Sequence, residues 1–495
     1  MAIELSDHFT FNKLIRFVCP AVIMMVFTSV YGVVDGIFVS NFAGEAAFDS
    51  VNLIMPVIMG FASVGFMIGT GGSALISKTL GEGDRVKARA IFSLLIYATV
   101  AIGLALTAVG LAIMRPVAIA LKAEQEGILE ECVLYGSVNL CGITLFMLQN
   151  MFQSFFPLAE KPRLGLAVIV CAGVTNAVLD AVLVAGFKLG LLGAGLATVT
   201  GQAVGAVIPI LYFSLNRKGI LYLGKPLLKF KPFIKACLNG SSEMMTQLSL
   251  SIVNILYNYQ LISYLGRAGV SAYGTVMYVS FIFCSIFIGY SIGVTPIIGY
   301  NFGARNQSEL NNVTKKSLII VGALSALMVT LALALNYPLA YVFVGKNADT
   351  FAMTRHGFFI SAFMFAILGF NIVGSGFFTA LNNGLVSAII SFLRTLVLQV
   401  ICILVLPLFM GVDGIWSSNV FAELLGFIVT VGFFLGMRKR YGYFIKRAPV
   451  DCAPTHAITL SEENDCISDD GVNGQGQLPY TIQNTAEENT KRQGE

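Results

Sequence analysis

The chain has 495 residues and a net charge of +4; 56% of its residues are hydrophobic and only 12% charged, against about 25% charged in an average soluble domain. This composition excludes an ordinary soluble enzyme domain and gives no broad basic surface for a nucleic-acid partner. Apolar segments of about 20 residues or more recur along nearly the whole length, the length a helix needs to cross a bilayer and more than a barrel strand uses.

Residues 1–12 are polar, with Glu4 and Asp7, and lack the basic start and small-residue cleavage site of a removable signal peptide. Breaks at Gly, Pro and charged clusters then divide the chain into twelve spans, at 14–40, 51–77, 91–114, 131–157, 164–186, 191–214, 236–264, 270–300, 314–343, 353–380, 385–409 and 413–436. Loops on one side hold Lys78, Arg85, Lys87, Arg89, Lys161, Arg163, Arg217, Lys218 and Lys315, with Lys13, Arg16 and Arg438 at the ends. The other side has only Arg115, Lys122, Lys188, Arg267, Lys346 and Arg355. The positive-inside rule then puts both termini in the cytoplasm of a cell-membrane, multi-pass protein. The cysteines are scattered singly through apolar runs, which is neither a disulfide framework nor a metal set.

Sliding the chain by 222 residues sets Gly44 on Gly266, Gly81 on Gly303, Pro116 on Pro338 and Phe155-Phe156 on Phe377-Phe378. The expected fold is all-α, with two pseudo-symmetric six-helix lobes related by an axis along the membrane normal. The expected units are a first lobe over 1–215, a cytoplasmic linker over 216–235, a second lobe over 236–440 and a disordered tail over 441–495.

Charges inside the spans carry the functional signal, because each costs roughly 3 kcal/mol at membrane depth. Asp35 in span 1, Asp180 in span 5 and Thr198 in span 6 fall about 10 Å below the outer surface at roughly 1.5 Å per residue. Asn176, one turn from Asp180, shares its face. Two carboxylates, an amide oxygen and a hydroxyl at one depth suit Na⁺, or a proton shared by the acids; the alternative is polar glue between helices. The second half has Tyr257 and Cys402 at the positions matching Asp35 and Asp180, so the repeat is chemically asymmetric. Arg394 and Glu423, both near midplane, form a candidate ion pair in the second lobe. Gln149, Asn150, Gln153, Gln202 and Asn371 are candidates to line a substrate cleft or to bridge helices. No HExxH or acid-rich prenyltransferase motif occurs, so an intramembrane enzyme is not expected, and no cofactor is implied beyond the coupling ion.

The ordered motifs Val34-Asp35-Gly-Ile-Phe38-Val39, Gly44-Glu-Ala46, Pro56, Gly69-Thr-Gly71-Gly72, Leu80-Gly81-Glu-Gly83-Asp84, Asn176-Ala-Val-Leu179-Asp180 and Pro296-Ile-Ile-Gly-Tyr300-Asn301 give the chain a resemblance. It resembles the multidrug and toxic compound extrusion (MATE) family, in its DinF-like and MepA-like branch, from about residue 10 to 440. The resemblance implies two lobes around a cleft that opens to alternate sides, and a first-lobe cation site on Asp35, Asn176, Asp180 and Thr198. It implies a monomer that works among membrane lipids and exports amphipathic, often cationic organic compounds in exchange for Na⁺ or H⁺. A lipid-linked oligosaccharide flippase of the same superfamily is the alternative; its pyrophosphate would call for a basic cleft, whereas this first lobe offers acids.

Overall fold

The computed structural model describes residues 3–444 apart from 122, 125–126, 228 and 345–347. Lys122, Lys346 and the tail from residue 445 onward therefore lie outside the described residues. Among those described, every regular element is helical. The first half contains α1 (Phe11–Phe38), α2 (Glu45–Gly81), α3 (Arg85–Ala120), α4 (Leu129–Cys141), α5 (Ile143–Leu158), α6 (Pro162–Leu179) and α7 (Gly190–Leu215). The second contains α8 (Phe230–Gly303), α9 (Gln307–Val344), α10 (Ala348–Ser361), α11 (Phe365–Ala380), α12 (Gly384–Phe392), α13 (Leu398–Met410) and α14 (Val412–Tyr441).

Local chemistry sets the helix ends. Thr10 caps α1, Asp84 accepts from the Lys87 amide at 2.9 Å to cap α3, and Pro162 opens α6 where its missing N–H costs nothing. Ten helical segments are long and apolar enough to cross a bilayer, and the pair α4–α5, bent by 55°, makes an eleventh. The twelfth is the arm 230–265 of α8. It is helical but carries Ser241, Ser242, Glu243, Gln247, Ser249, Ser251 and Asn254, which lower its hydropathy.

The two arms of α8 are separated by Gly266, at φ 64° and ψ −158°. Gly44, its counterpart 222 residues earlier, stands between α1 and α2 with φ 97°. An L side chain rarely adopts either conformation, so the repeat is written in backbone geometry as well as in sequence. The contact between the halves repeats in the same register. Gly81 packs against the backbone of Tyr300 in the way its counterpart Gly303 packs against that of Lys78; the contact of Gly71 with Gly240 is mirrored by that of Gly293 with Val18. These reciprocal pairs define an approximate two-fold axis between two six-helix lobes.

α8 begins at Phe230, inside the 216–235 stretch, so Lys231 and Lys235 ride on its first turns. At the other end the chain does not leave the fold at 441. Gly442 closes α14 in the left-handed conformation, Tyr443 is fully buried with its hydroxyl on Phe434 O at 2.7 Å, and the Phe444 amide donates to Asn311 Oδ1 at 2.9 Å. The two aromatic side chains provide apolar area for this return, which the polar composition after residue 447 lacks.

Burial shows how the lobes are joined. One apolar core contains Phe9, Phe17, Leu75, Phe92, Phe155 and Phe213 of the first half together with Tyr290, Val294, Ile297, Phe377 and Phe378 of the second. All lie toward the end that carries the termini. Toward the opposite end each half has a core of its own. One is built on Val39, Ile54, Tyr135 and Val184, the other on Tyr257, Phe283, Phe365 and Trp416. The lobes thus share a core at the basic end and have separate cores at the other.

A strap formed by the first described residues reinforces the seal. The Leu5 amide donates to Glu160 Oε1 at 2.6 Å, in the first half. The Phe9 amide donates to Glu309 Oε1 at 2.8 Å, His8 Nδ1 lies 2.7 Å from Glu309 Oε2, and Lys316 Nζ donates to Phe9 O at 2.6 Å, all in the second half. Burial pushes the Glu160 carboxyl up to about 7, with Glu4 and Asp7 adding and the Leu5 amide and Lys161 opposing. The folded value is above the unfolded one, so this contribution is complete below about pH 4.5 and is lost as pH rises through about 7. The melting temperature of detergent-solubilised protein is expected to fall between about pH 4.5 and 7 and to level off above, and Glu160→Gln should flatten that step. A wild-type profile unchanged by the substitution would show that Glu160 does not set it.

Candidate functional site

Asp35 sits on the last turns of α1, where the helix widens into a π-helical turn at Val39–Ala43. Asp180 is the first residue of another π-helical turn, Asp180–Gly186, that ends α6. Such turns release a backbone carbonyl from the α ladder and gather at functional positions. A third, Leu393–Val397, contains Arg394. Every π-helical turn among the described residues therefore adjoins a charged side chain within a span.

The structure brings Asp35, Asn176, Asp180 and Thr198 together: the side chains of Asp180, Asn176 and Thr198 all adjoin the Asp35 carboxylate. Asp35 is 8% exposed, Asn176 3% and Asp180 0%. Thr198 Oγ1 is 3.0 Å from Ala194 O and 3.5 Å from Asp35 Oδ1. The shorter contact takes its single proton, which leaves the hydroxyl oxygen facing Asp35. Both Asp180 oxygens and Asn176 Nδ2 are buried without a hydrogen-bond partner among the described residues. Among the described residues no Lys or Arg adjoins either carboxylate. Among the described residues no three His, Cys, Asp or Glu side chains converge as a metal site. What remains is two carboxylates with neutral oxygens, a hard set suited to a small monovalent cation or to protons.

Two tyrosines belong to this site that sequence reasoning did not pick out. Tyr135 on α4 is fully buried, its hydroxyl has no hydrogen-bond partner among the described residues, and it lies within electrostatic reach of both Asp35 and Asp180. Tyr31, one turn from Asp35 on α1, turns toward Gln149. The i−4 spacing of Tyr31 from Asp35 was the available signal.

Gln149, Asn150, Gln153 and Gln202 are 1%, 3%, 2% and 7% exposed, inside the first lobe. These four are interior groups in this conformation. Asn371 is fully buried in the second lobe, donating to Glu423 Oε2 at 2.7 Å and accepting from Thr430 at 3.0 Å. Arg394 Nη1 donates to Glu423 Oε1 at 2.9 Å, with both side chains nearly inaccessible. Glu243 lies within electrostatic reach of Arg394. A separate apolar cavity of about 280 Å³ between α9, α11 and α14, lined by Phe370, Phe377, Phe427 and Phe434, includes none of these charges.

Removing one member of a buried ion pair strands the other, at about 3–5 kcal/mol, whereas replacing both is nearly neutral. Arg394→Leu is therefore expected to lower the melting temperature sharply, and Arg394→Leu/Glu423→Leu to recover most of the loss. Equal damage from the single and double variants would assign Arg394 a role beyond the pair.

Two six-helix lobes, one of them with a buried carboxylate pair, define a two-lobe polytopic membrane protein. The MatE family model matches residues 20–182 and again 243–405, once in each half and over well more than half of the chain, so the chain belongs to the MatE family. It is similar to the multidrug export protein MepA of Staphylococcus haemolyticus (strain JCSC1435), with 22% identity over 433 residues, 87% of this chain and 94% of the relative. Similarity to MepA of Staphylococcus aureus (strain MRSA252) is 23% over 420 residues, 84% and 91% of the two chains. Among solved structures, a MATE protein in complex with MaL6 superposes with a TM-score of 0.82 at 20% identity, covering 88% of this chain and 97% of that one. A multidrug resistance MATE family transporter of the MOP superfamily, solved in an outward-facing conformation, superposes with a TM-score of 0.81 at 22% identity and the same coverage.

Proposed function

We propose that this protein exports amphipathic, often cationic organic compounds across the cell membrane by antiport against Na⁺ or H⁺, with both termini cytoplasmic. The observation that carries the reading is the buried set Asp35, Asn176, Asp180 and Thr198, in which the Asp180 oxygens have no partner of their own. The multidrug-export names of the relatives and the separate cores of the two lobes at the end away from the termini support it.

In this reading the conformation described is open to the outside. A cation entering from there neutralises the carboxylate pair and draws α1 and α6 together at their π-helical turns. The set is complete only when Asp35 of α1 and Asp180 of α6 meet, so the cation favours whichever packing of α1 brings them closest. Coupling is limited to the difference in cation affinity between the two packings. Substrate leaves when that packing no longer fits it.

The experiment is efflux of a fluorescent organic cation from proteoliposomes, driven separately by a Na⁺ and a pH gradient, in wild type and Asp35→Asn. Efflux that follows one gradient and is lost in the variant supports antiport and names the ion. Efflux indifferent to both gradients would sink the reading.

A further inference from the structure

Below the carboxylate pair the first lobe contains more polar groups than its packing uses. Among the described residues Gln202 Oε1, Gln149 Oε1, Gln153 Oε1 and Asn150 Nδ2 are buried with no hydrogen-bond partner. Buried amides are ordinarily paired, because leaving them bare is costly. A run of such exceptions in one lobe points to something that passes or rests there.

These groups are placed in sequence along the lobe. On α7, which runs toward the basic end, Gln202 is one turn below Thr198. One turn further, Gly205 has no side chain, and a Cβ there would fall 2.8 Å from Gln149 Cδ. On α5, Gln153 is one turn below Gln149, its amide nitrogen 3.4 Å from Asn150 Oδ1. Tyr31, one turn below Asp35, faces Gln149. The file thus starts at the carboxylates and descends on three helices toward the basic end. It stops at an aromatic cluster in which Phe152 and Phe213 stack at 5.8 Å and Phe92 meets Phe213 at 5.0 Å.

We propose that this amide file is the inward path of the coupling cation, with Gln149, Gln153 and Gln202 forming a second, uncharged station and the Phe152–Phe213 stack its inner plug. The path rests on the antiport reading above. Amide oxygens replace the hydration of a monovalent cation, or hold the water that relays a proton, without binding so tightly that release becomes slow. Neutral groups suit a transit station, and carboxylates suit the site that senses the ion. In this proposal the plug keeps cations that reach the carboxylates from one side from crossing to the other.

The test uses full-length protein, with ²²Na⁺ or proton uptake measured at equilibrium in detergent and gradient-driven efflux measured in proteoliposomes. Gln202→Leu is expected to keep equilibrium cation binding within about threefold of wild type while coupled efflux falls about tenfold or more. Gln202→Asn, which keeps a neutral amide oxygen, should retain cation passage. Phe213→Ala should let cations cross without substrate. Coupled efflux in Gln202→Leu within about twofold of wild type, or no added leak in Phe213→Ala, would reduce the amides to static packing. Loss of binding and efflux together in Gln202→Leu would fold Gln202 into the carboxylate site and overturn the second station. Wild-type efflux that ignores both gradients would overturn the antiport reading itself, and is seen before any variant is made.

Discussion

Asp180→Asn is expected to abolish gradient-driven export, by about a hundredfold or more, and at the same time to raise the melting temperature of the detergent-solubilised protein. The two effects have one cause. Asp180 is fully buried beside Asp35, and its oxygens have no partner. An uncompensated carboxylate within the protein destabilises it, and a second carboxylate alongside adds repulsion. Asparagine keeps the shape, removes the charge and adds an N–H that Asp35 accepts, so a gain on the order of 1 kcal/mol is expected. The same change removes half of the charge that holds a cation. A ligand that binds only the folded state stabilises it by about 2.7 kcal/mol at a hundred times its Kd. That increment, read as the melting-temperature rise on adding Na⁺ or on lowering pH, should vanish in Asp180→Asn. If instead the variant melts lower and still exports, Asp180 is structural glue and the cation site lies elsewhere.

Much of this site can be read from the sequence because a charge within an apolar run stands out and the helical rise is regular. Counting residues from the span ends puts Asp35, Asp180 and Thr198 at one depth, and the structure gathers them with Asn176. Tyr135 stays hidden, since a tyrosine in an apolar span looks the same whether it meets lipid or a buried carboxylate. Helix rotation is equally obscure. The amides of Gln149, Gln153 and Gln202 could equally have faced a cleft, and their turn into the lobe follows from which face of α5 and α7 packs on α1 and α6. The widening of α1 after Asp35 and of α6 at Asp180 is a shift of one hydrogen-bond step, which composition does not record. The repeat, by contrast, was legible, because Gly44 and Gly266 are required by backbone conformation and Gly81 and Gly303 by contact. What the repeat does not reveal is which glycines touch across the lobes, in a chain that has 50 of them.

That interlobe contact carries the second large prediction, Gly71→Val. A Cβ at Gly71 would meet Ala236 O and the Gly240 backbone, and one at Gly240 would meet Met67 O and Gly71 N. These obstacles are main chain within helices and cannot turn aside as a side-chain tip would. The separate cores at the far end of each lobe are untouched in the variant, so folding should survive while the shared core at the basic end is forced apart. Overpacking of this kind costs about 1–3 kcal/mol, enough to shift a two-state equilibrium roughly tenfold or more against the conformation described here. Spin labels at Phe187 and Phe409, both exposed at the far end of their lobes, should then report a shorter distance than in wild type, with export reduced at least about tenfold. Gly36→Ala and Gly432→Ala, where an added Cβ meets nothing within 4 Å, should change neither. A wild-type distance and full export in Gly71→Val would mean that the Gly71–Gly240 contact is not the surface on which the lobes close. The alternation would then have to turn on the strap of residues 5–9 and its bonds to Glu160 and Glu309.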